Sequence, residues 1–242
     1  MTALAPAAFL RVEQLLLPAS DLQAALHLAL RAPGTAERAA RLGFLGVGLP
    51  ALAVLGRADR RLRRRLLGLA CRGLSRDRVE LLLRGHWERH LAGQLRPQGL
   101  ALVERARAEG KRLVLVSSSL AGVIAPLAER LGAELGSGTD HGAAVEVLAD
   151  GLEWRDDVAT GRVLEALPPG GVGPWAAARG IALSGSYAWG SDLSDAPLLR
   201  AVGWPCAVDP DAALHGLAEA EGWPVLLSEQ APLPGQRPVG SV

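Results

Sequence analysis

A chain of 242 residues holds one domain, or one domain with an insertion. With 49% hydrophobic and 21% charged residues, a disordered or collagen-like chain is excluded. The only cysteines, Cys71 and Cys206, belong to no CxxC or Cys/His cluster, so neither a disulfide framework nor a zinc site is suggested, and both read as reduced, packed thiols. Net charge is +1, but residues 1–111 carry 19 basic and nine acidic groups while residues 112–242 carry seven and 16. The simplest consequence is attraction between two parts of one protein. Of the 26 basic residues, 25 are arginine and one is Lys111, so lysine chemistry has few candidates. The N-terminus has no basic leader region and meets Arg11 too early for a secretory segment. The longest apolar run, Gly43 to Gly56, is 14 residues with Pro50 inside, short of the roughly 20 that span a bilayer. A cytoplasmic location is expected.

In chain order, AAFLRVEQLLLP (7–18) opens with a short apolar run that predicts a first buried strand. PASD then marks a turn or helix start. From Asp21 to about Leu95 the periodicity is helical throughout, which predicts an all-helical insertion over 21–95. Ser75, with Asp77 in the following turn, is the expected N-cap of its last helix. Beyond it, helix and strand alternate. RPQGLALVERARAEG predicts a helix closed by Gly110, KRLVLVSSS a strand and LAGVIAPLAERLG a helix. AVEVL and GRVL read as a hairpin turning near Asp150-Gly151, and GPWAAARG as a short helix. SGSYAWGSD, VGWPCAV and GWPVLLS supply three more strands, with helices in DAPLLRAV and DAALHGLAEAE between them. Such alternation predicts an α/β fold with a doubly wound parallel sheet. The Pro/Gly-rich tail 231–242 is expected to be disordered.

In an open α/β sheet the ligand lies at the carboxyl ends of the strands. Arg11 and Glu13 follow the first predicted strand, Ser117, Ser118 and Ser119 the second, and Ser191, Asp192 and Asp195 the SYAWG strand. The serine turn feeds a helix N-terminus, where free N–H groups favour an anion or simply receive a cap. The aspartates of GSDLSD lie three apart around a strand-to-helix turn, a spacing that suits a hard cation or a cap.

With these positions in place, the chain resembles the haloacid dehalogenase (HAD) superfamily, in its phosphoserine-phosphatase-like branch. AAFLRVEQLLLP resembles the first motif, KRLVLVSSSLAGVIAPLAERLG the second, ATGRV the strand before the third, and SYAWGSDLSDAPLL the fourth. The resemblance implies a Rossmannoid core formed by 1–20 and 96–242, with 21–95 as a helical cap. It also implies a two-step phosphoryl transfer: an aspartate of D-x-D-G-T attacks phosphorus, the second aspartate serves as acid and base, a Ser/Thr and a Lys hold the phosphoryl oxygens, and Mg²⁺ bridges the first and fourth motifs.

Matched residue by residue, that chemistry is missing. Arg11 stands at the nucleophile position, and a guanidinium has neither lone pair nor accessible deprotonated form. Glu13 keeps a carboxylate at the acid/base position, but Gln14 and Leu15 replace Gly-Thr. Ser117 matches. No lysine suits motif three, since Lys111 precedes the second strand. In motif four Ser191 replaces the metal-binding aspartate, with Asp192 next to it, while Asp195 matches. Loss of several essential groups predicts an inactive site, with no catalytic residues, no metal ligands and no cofactor, Mg²⁺ included. Arg11 would then lie among Glu13, Asp192 and Asp195 as an internal cation, and Arg11, Ser117 and Ser118 could retain an anion pocket.

The expected role is therefore a binding, scaffold or regulatory one, towards a protein partner or a phosphorylated small molecule and not nucleic acid. Two other readings stand beside it. One is a phosphomonoesterase with a rearranged site using Glu13 or Asp192. The other is a membrane-surface protein using Arg57–Arg65, where six arginines occupy nine positions. Against the latter, Leu62, Leu66, Leu67 and Leu69 can form a core-facing stripe with the arginines solvated or paired to acids. His86 and His90, four apart on a helix, could share a metal, but with no HExxH and with Trp87 and Arg89 crowding the segment they read as solvated or capping; His27, His141 and His215 suggest no partners. Trp189 and Trp204 read as core.

Overall fold

The run Ala7-Ala8-Phe9-Leu10 has no polar face, so a strand made from it must be covered on both sides. The computed structural model describes residues 4–18, 21–32, 34–55, 60–136, 145–166 and 171–227, without the side chains of 44, 47–55, 60–62 and 135–136. There β1 (Ala7–Arg11) is wholly buried and pairs in parallel with β2 (Arg112–Leu120) on one side and β5 (Tyr187–Gly190) on the other. β3 (Glu146–Arg155) and β4 (Val158–Leu164) extend the sheet beyond β2, and β6 (Trp204–Val208) and β7 (Val225–Leu226) beyond β5. The seven strands lie in the order β4-β3-β2-β1-β5-β6-β7, parallel except at the β3–β4 hairpin.

Alternation along the strands divides the core in two. Ala8 and Leu10 face one cluster with Leu113 and Leu115; Ala7 and Phe9 face another with Val114 and Val116. The first cluster is filled by α1 (Asp21–Leu30), α3 (Arg60–Cys71), α4 (Arg76–His86), α5 (Pro97–Ala108) and α6 (Ala121–Gly136), with Leu45 from α2 (Thr35–Leu55). The second is filled by α7 (Val172–Ala177), α8 (Ala196–Ala201) and α9 (Ala212–Glu221). This is the doubly wound α/β architecture expected from the sequence.

Between β1 and α5 the described elements are helices, and α4 runs straight into a π-helical turn, Trp87–Leu91. The inserted helices are tied to the sheet edge. Gly73 N donates to Ala159 O at 2.9 Å, Ala159 N to Leu74 O at 2.9 Å and Arg76 N to Asp157 O at 3.0 Å. At Gly68 of α3, a Cβ would stand 2.7 Å from Gly161 O, so α3 reaches β4 backbone to backbone.

Several local expectations are corrected. The hairpin turns at Asp156-Asp157, both left-handed with φ of 50° and 62°, and Asp150-Gly151 lies inside β3. Ser75 has N-cap backbone geometry, but its hydroxyl makes no capping bond. Leu66 and Leu67 are buried as the stripe requires, while Leu69 is exposed and the side chain of Leu62 lies outside the described residues. Trp189 is core, but Trp204, at the first position of β6, is 61% exposed. Both cysteines are free and buried, as expected. The tail 231–242 lies outside the described residues.

Candidate functional site

Parallel pairing brings the strand ends together. Arg11 is level with Val116, one residue before Ser117, and Leu10 is level with Trp189, two residues before Ser191. The chain then turns through Val12–Leu17, where Gln14 adopts φ 67°, in the left-handed region glycine fills most easily. The turn of the family motif is thus kept without its glycine. At the end of β5, Gly190 lets Asp195 tuck beneath the strand, since a Cβ there would lie 2.7 Å from Asp195 Cβ.

Arg11 is the hub. Its Nε lies 2.9 Å from Glu13 Oε2, its Nη1 3.1 Å from Asp195 Oδ1, and its Nη2 donates to Ser118 Oγ at 3.0 Å. Arg11 and Asp195 are buried, and the Glu13 side chain is 12% exposed. Burial alone would pull the Arg11 pKa down; Glu13 and Asp195 outweigh it and hold it above its usual value.

Glu13 fills the serine turn. Its Oε1 accepts from Ser117 Oγ at 2.5 Å and from Ser118 N at 3.1 Å, and Ser119 N donates to Ser117 Oγ at 3.0 Å. The donors expected to hold an anion thus already hold the chain's own carboxylate. Asp195 Oδ2 accepts from Ser191 N at 2.9 Å and Asp192 N at 3.3 Å. Asp192 does not share the role expected for it beside Glu13 and Asp195. Its carboxylate accepts from Ser194 N at 2.9 Å and, with Asp195, forms a reciprocal cap of the 3₁₀ turn Leu193–Asp195.

The residues present do not fit the Mg²⁺ that the resemblance implies. The Arg11 guanidinium lies against the Glu13 and Asp195 oxygens that a cation would use, and a hydroxyl stands at position 191. Ser191 Oγ is buried with no hydrogen-bond partner among the described residues.

Sequence reasoning missed a second tier of charges. Arg64, from α3, places Nη1 2.8 Å from Asp150 Oδ2 and Nη2 3.0 Å from Glu165 Oε1, while Asp150 Oδ1 accepts from Ala166 N at 2.9 Å. Arg64, Asp150 and Glu165 line a cavity of about 330 Å³ with Arg11, Ser117 and Ser118. Burial raises the Asp150 pKa against the pull of the Ala166 N–H and Arg64. Asp21, at the start of α1, is pushed up to about 6, chiefly by burial. Arg64 is hidden among arginines of the same type, so no spacing singles it out. It also shows that one member of the basic run turns inward. Arg57 and the side chains of Arg60 and Arg61 lie outside the described residues. Lys111 is far from any phosphate-holding role: it donates to Gly185 O at 3.0 Å just before β2 begins.

The family model for haloacid dehalogenase-like hydrolases matches residues 16–200, beginning just after Arg11 and Glu13. The chain belongs to this family. A curated relative, the "inhibition of morphological differentiation protein" of Streptomyces azureus, is 30% identical over 67% of this chain, and the match spans 57% of that protein's length. The solved structure of a protein of unknown function from Bordetella pertussis Tohama I is 26% identical, covers 92% of this chain and 98% of its own, and superposes with a TM-score of 0.71. Phosphoserine phosphatase in its apo form aligns over 92% of this chain and 93% of its own at 14% identity and a TM-score of 0.55, a likeness of fold. No helix among the described residues is long and apolar enough to cross a membrane.

Proposed function

We propose that this HAD-family protein does not hydrolyse phosphomonoesters and acts as a binding or scaffold protein for a protein partner. One observation carries the reading: Arg11, at the nucleophile position, is locked by Glu13, Asp195 and Ser118. Phosphoryl transfer to the protein needs an oxygen nucleophile there, and its metal needs two carboxylates free of competing cations. Here a guanidinium stands at the first position and engages the second group. A phosphorylated small molecule is the weaker ligand candidate, because its phosphate would have to displace Glu13 from Ser117 and Ser118.

Hydrolysis of 4-nitrophenyl phosphate by the purified chain, with and without Mg²⁺, tests this reading. No rate above buffer is expected in either condition, and Mg²⁺ leaves the melting temperature unchanged. Mg²⁺-dependent turnover that disappears on changing Glu13 or Asp192 would overturn it in favour of a rearranged phosphomonoesterase.

A further inference from the structure

Away from the strand ends, three histidines converge. His27 comes from α1, His86 is the last residue of α4, and His90 lies in the π-helical turn that follows. Their ring centroids are 5.4 Å (27–86), 5.4 Å (27–90) and 5.2 Å (86–90) apart. One nitrogen from each lies within 4.8 Å of the other two. His27 and His86 are 3% and 0% exposed. Both nitrogens of His86, and Nε2 of His27, are buried without a hydrogen-bond partner among the described residues. This corrects the expectation of solvated or capping histidines.

A buried imidazole normally satisfies its N–H and its lone pair, because an unpaired polar atom forfeits its hydration with nothing in return. Three rings facing one another, two of them buried and together carrying three unpaired nitrogens, leave a lone-pair-rich space that hydrophobic packing does not explain. We infer that His27, His86 and His90 form a binding site for one late first-row divalent cation of the zinc class, tying α1 to the α4–π helix.

Donor chemistry selects the ion. Neutral imidazoles suit Zn²⁺, Co²⁺, Ni²⁺ or Cu²⁺, and among the described residues no carboxylate or thiolate joins the cluster to favour Mg²⁺ or Ca²⁺. Geometry permits it. Nitrogens no more than 4.8 Å apart have a common point at most about 2.8 Å from each, and closing to the 2.0–2.1 Å of a Zn–N bond takes small ring movements. The π turn begins directly after His86 and contains His90, and rare π segments inside helices recur at functional sites. Burial, with neighbouring cationic groups, pushes His27 and His86 down to about 4, which keeps both rings unprotonated at neutral pH.

Two cations face the cluster. Arg31 Nη1 lies 3.5 Å from His27 Nδ1, and Arg89 is a second positive neighbour of His27. Arg89 is exposed and Arg31 half-buried, so both guanidiniums have solvent to turn into. Binding through Nε2 as a neutral imidazole puts the one ring proton of His27 on Nδ1, and the Arg31 contact is then released. Three protein ligands leave a fourth position for water.

The test uses the full-length, tag-free chain, stripped with chelator and then titrated with Co²⁺ and Zn²⁺. Expected are one equivalent of metal retained through gel filtration, the intense visible d–d band of four-coordinate Co²⁺, and a rise in melting temperature with Zn²⁺ that Mg²⁺ does not give. H90Q, at the half-buried corner, should keep the native circular dichroism and bind more than about tenfold more weakly. H27Q should lose the cobalt band, and H215Q, on α9, should retain it. Wild-type protein that takes up no Co²⁺ or Zn²⁺, or H90Q that binds as tightly as wild type, overturns the site. These readouts involve no phosphate ester, so the site stands or falls apart from the proposed loss of phosphatase activity.

Discussion

The strand-end network and the histidine cluster are both buried and polar, yet they are finished in opposite ways. At the strand ends the chain supplies its own counter-charges: Arg11 stands between Glu13 and Asp195, and Glu13 stands in the serine turn. In the histidine cluster the ring nitrogens face one another without donors or acceptors between them. A polar pocket whose opposite charges meet has built its counter-ions into the sequence. One whose groups are left unpaired leaves room for a ligand from outside. By this difference the strand ends are the less promising place for an outside ligand, and the helices between β1 and β2 the more promising one.

The sharpest way to break this comparison is to unbuild the completed network. Arg11→Ala leaves the Glu13 and Asp195 carboxylates buried without their cation, and removing one partner of a buried ion pair costs about 3–5 kcal/mol. For a chain of this size that is a fall in melting temperature of roughly 6–20 °C. Arg11→Lys keeps the charge but loses the fork that serves three partners at once, and should fall between wild type and Arg11→Ala. A melting temperature for Arg11→Ala within 2 °C of wild type would mean that the network contributes little and that the strand ends are not self-completed.

A smaller effect comes from the carboxylate that remains imperfectly served. Asp21 has a folded pKa of about 6 against an ordinary aspartate value of 3.8. Below pH 3.8 both states are protonated. Between that value and 6 the unfolded chain ionises first, so folding stability falls as pH rises through this window, and the penalty is complete above it. The two-unit gap corresponds to about 3 kcal/mol, reduced to roughly 1–2 kcal/mol by the partial exposure of the side chain. Asp21→Asn should remove that slope and raise stability at pH 7.5 by a similar amount. Urea melts of both proteins at pH 4.5 and 7.5 decide it: an unchanged difference between the two pH values would place Asp21 in ordinary solvent.

How far the sequence foretold these two regions follows from what each depends on. β1 and β2 were legible because strands covered on both faces must be apolar throughout, and the strand-end residues followed from the sheet rule alone. Arg11, Glu13, Ser117 and Asp195 were therefore found at the right place before any contact was known. What failed depended on tertiary partners. Asp150-Gly151 looks like a turn signal, but Asp150 is a strand residue committed to Arg64 and Ala166 N, and the turn is made by Asp156-Asp157. His86 and His90 were visible as a helical pair, while the third ring arrives on α1, which no periodicity within α4 announces. Ser75 shows the limit of a local rule, since the cap position was right and the capping bond is not made.

The finest test separates a built-in anion from an ordinary helix cap. If Glu13 serves as the site's own anion, wild-type protein should show no stabilisation by inorganic phosphate, because the Ser117 hydroxyl and the Ser118 N–H are already taken. Glu13→Gln keeps the shape and removes the charge. Arg11 then has one carboxylate fewer, and the serine turn holds a neutral amide that phosphate can displace. At a phosphate concentration equal to its dissociation constant the gain is RT ln 2, about 0.4 kcal/mol, or roughly 1–2 °C, measurable by differential scanning fluorimetry against matched sulfate and chloride. Stabilisation by phosphate in the wild type would show the pocket open to an outside anion. Absence of any shift in the variant would show that the serines only cap the following helix, with Glu13 as one capping partner among others. The expected pattern, silent in the wild type and responsive in the variant, belongs only to a site in which a carboxylate of the chain stands where a phosphate would bind.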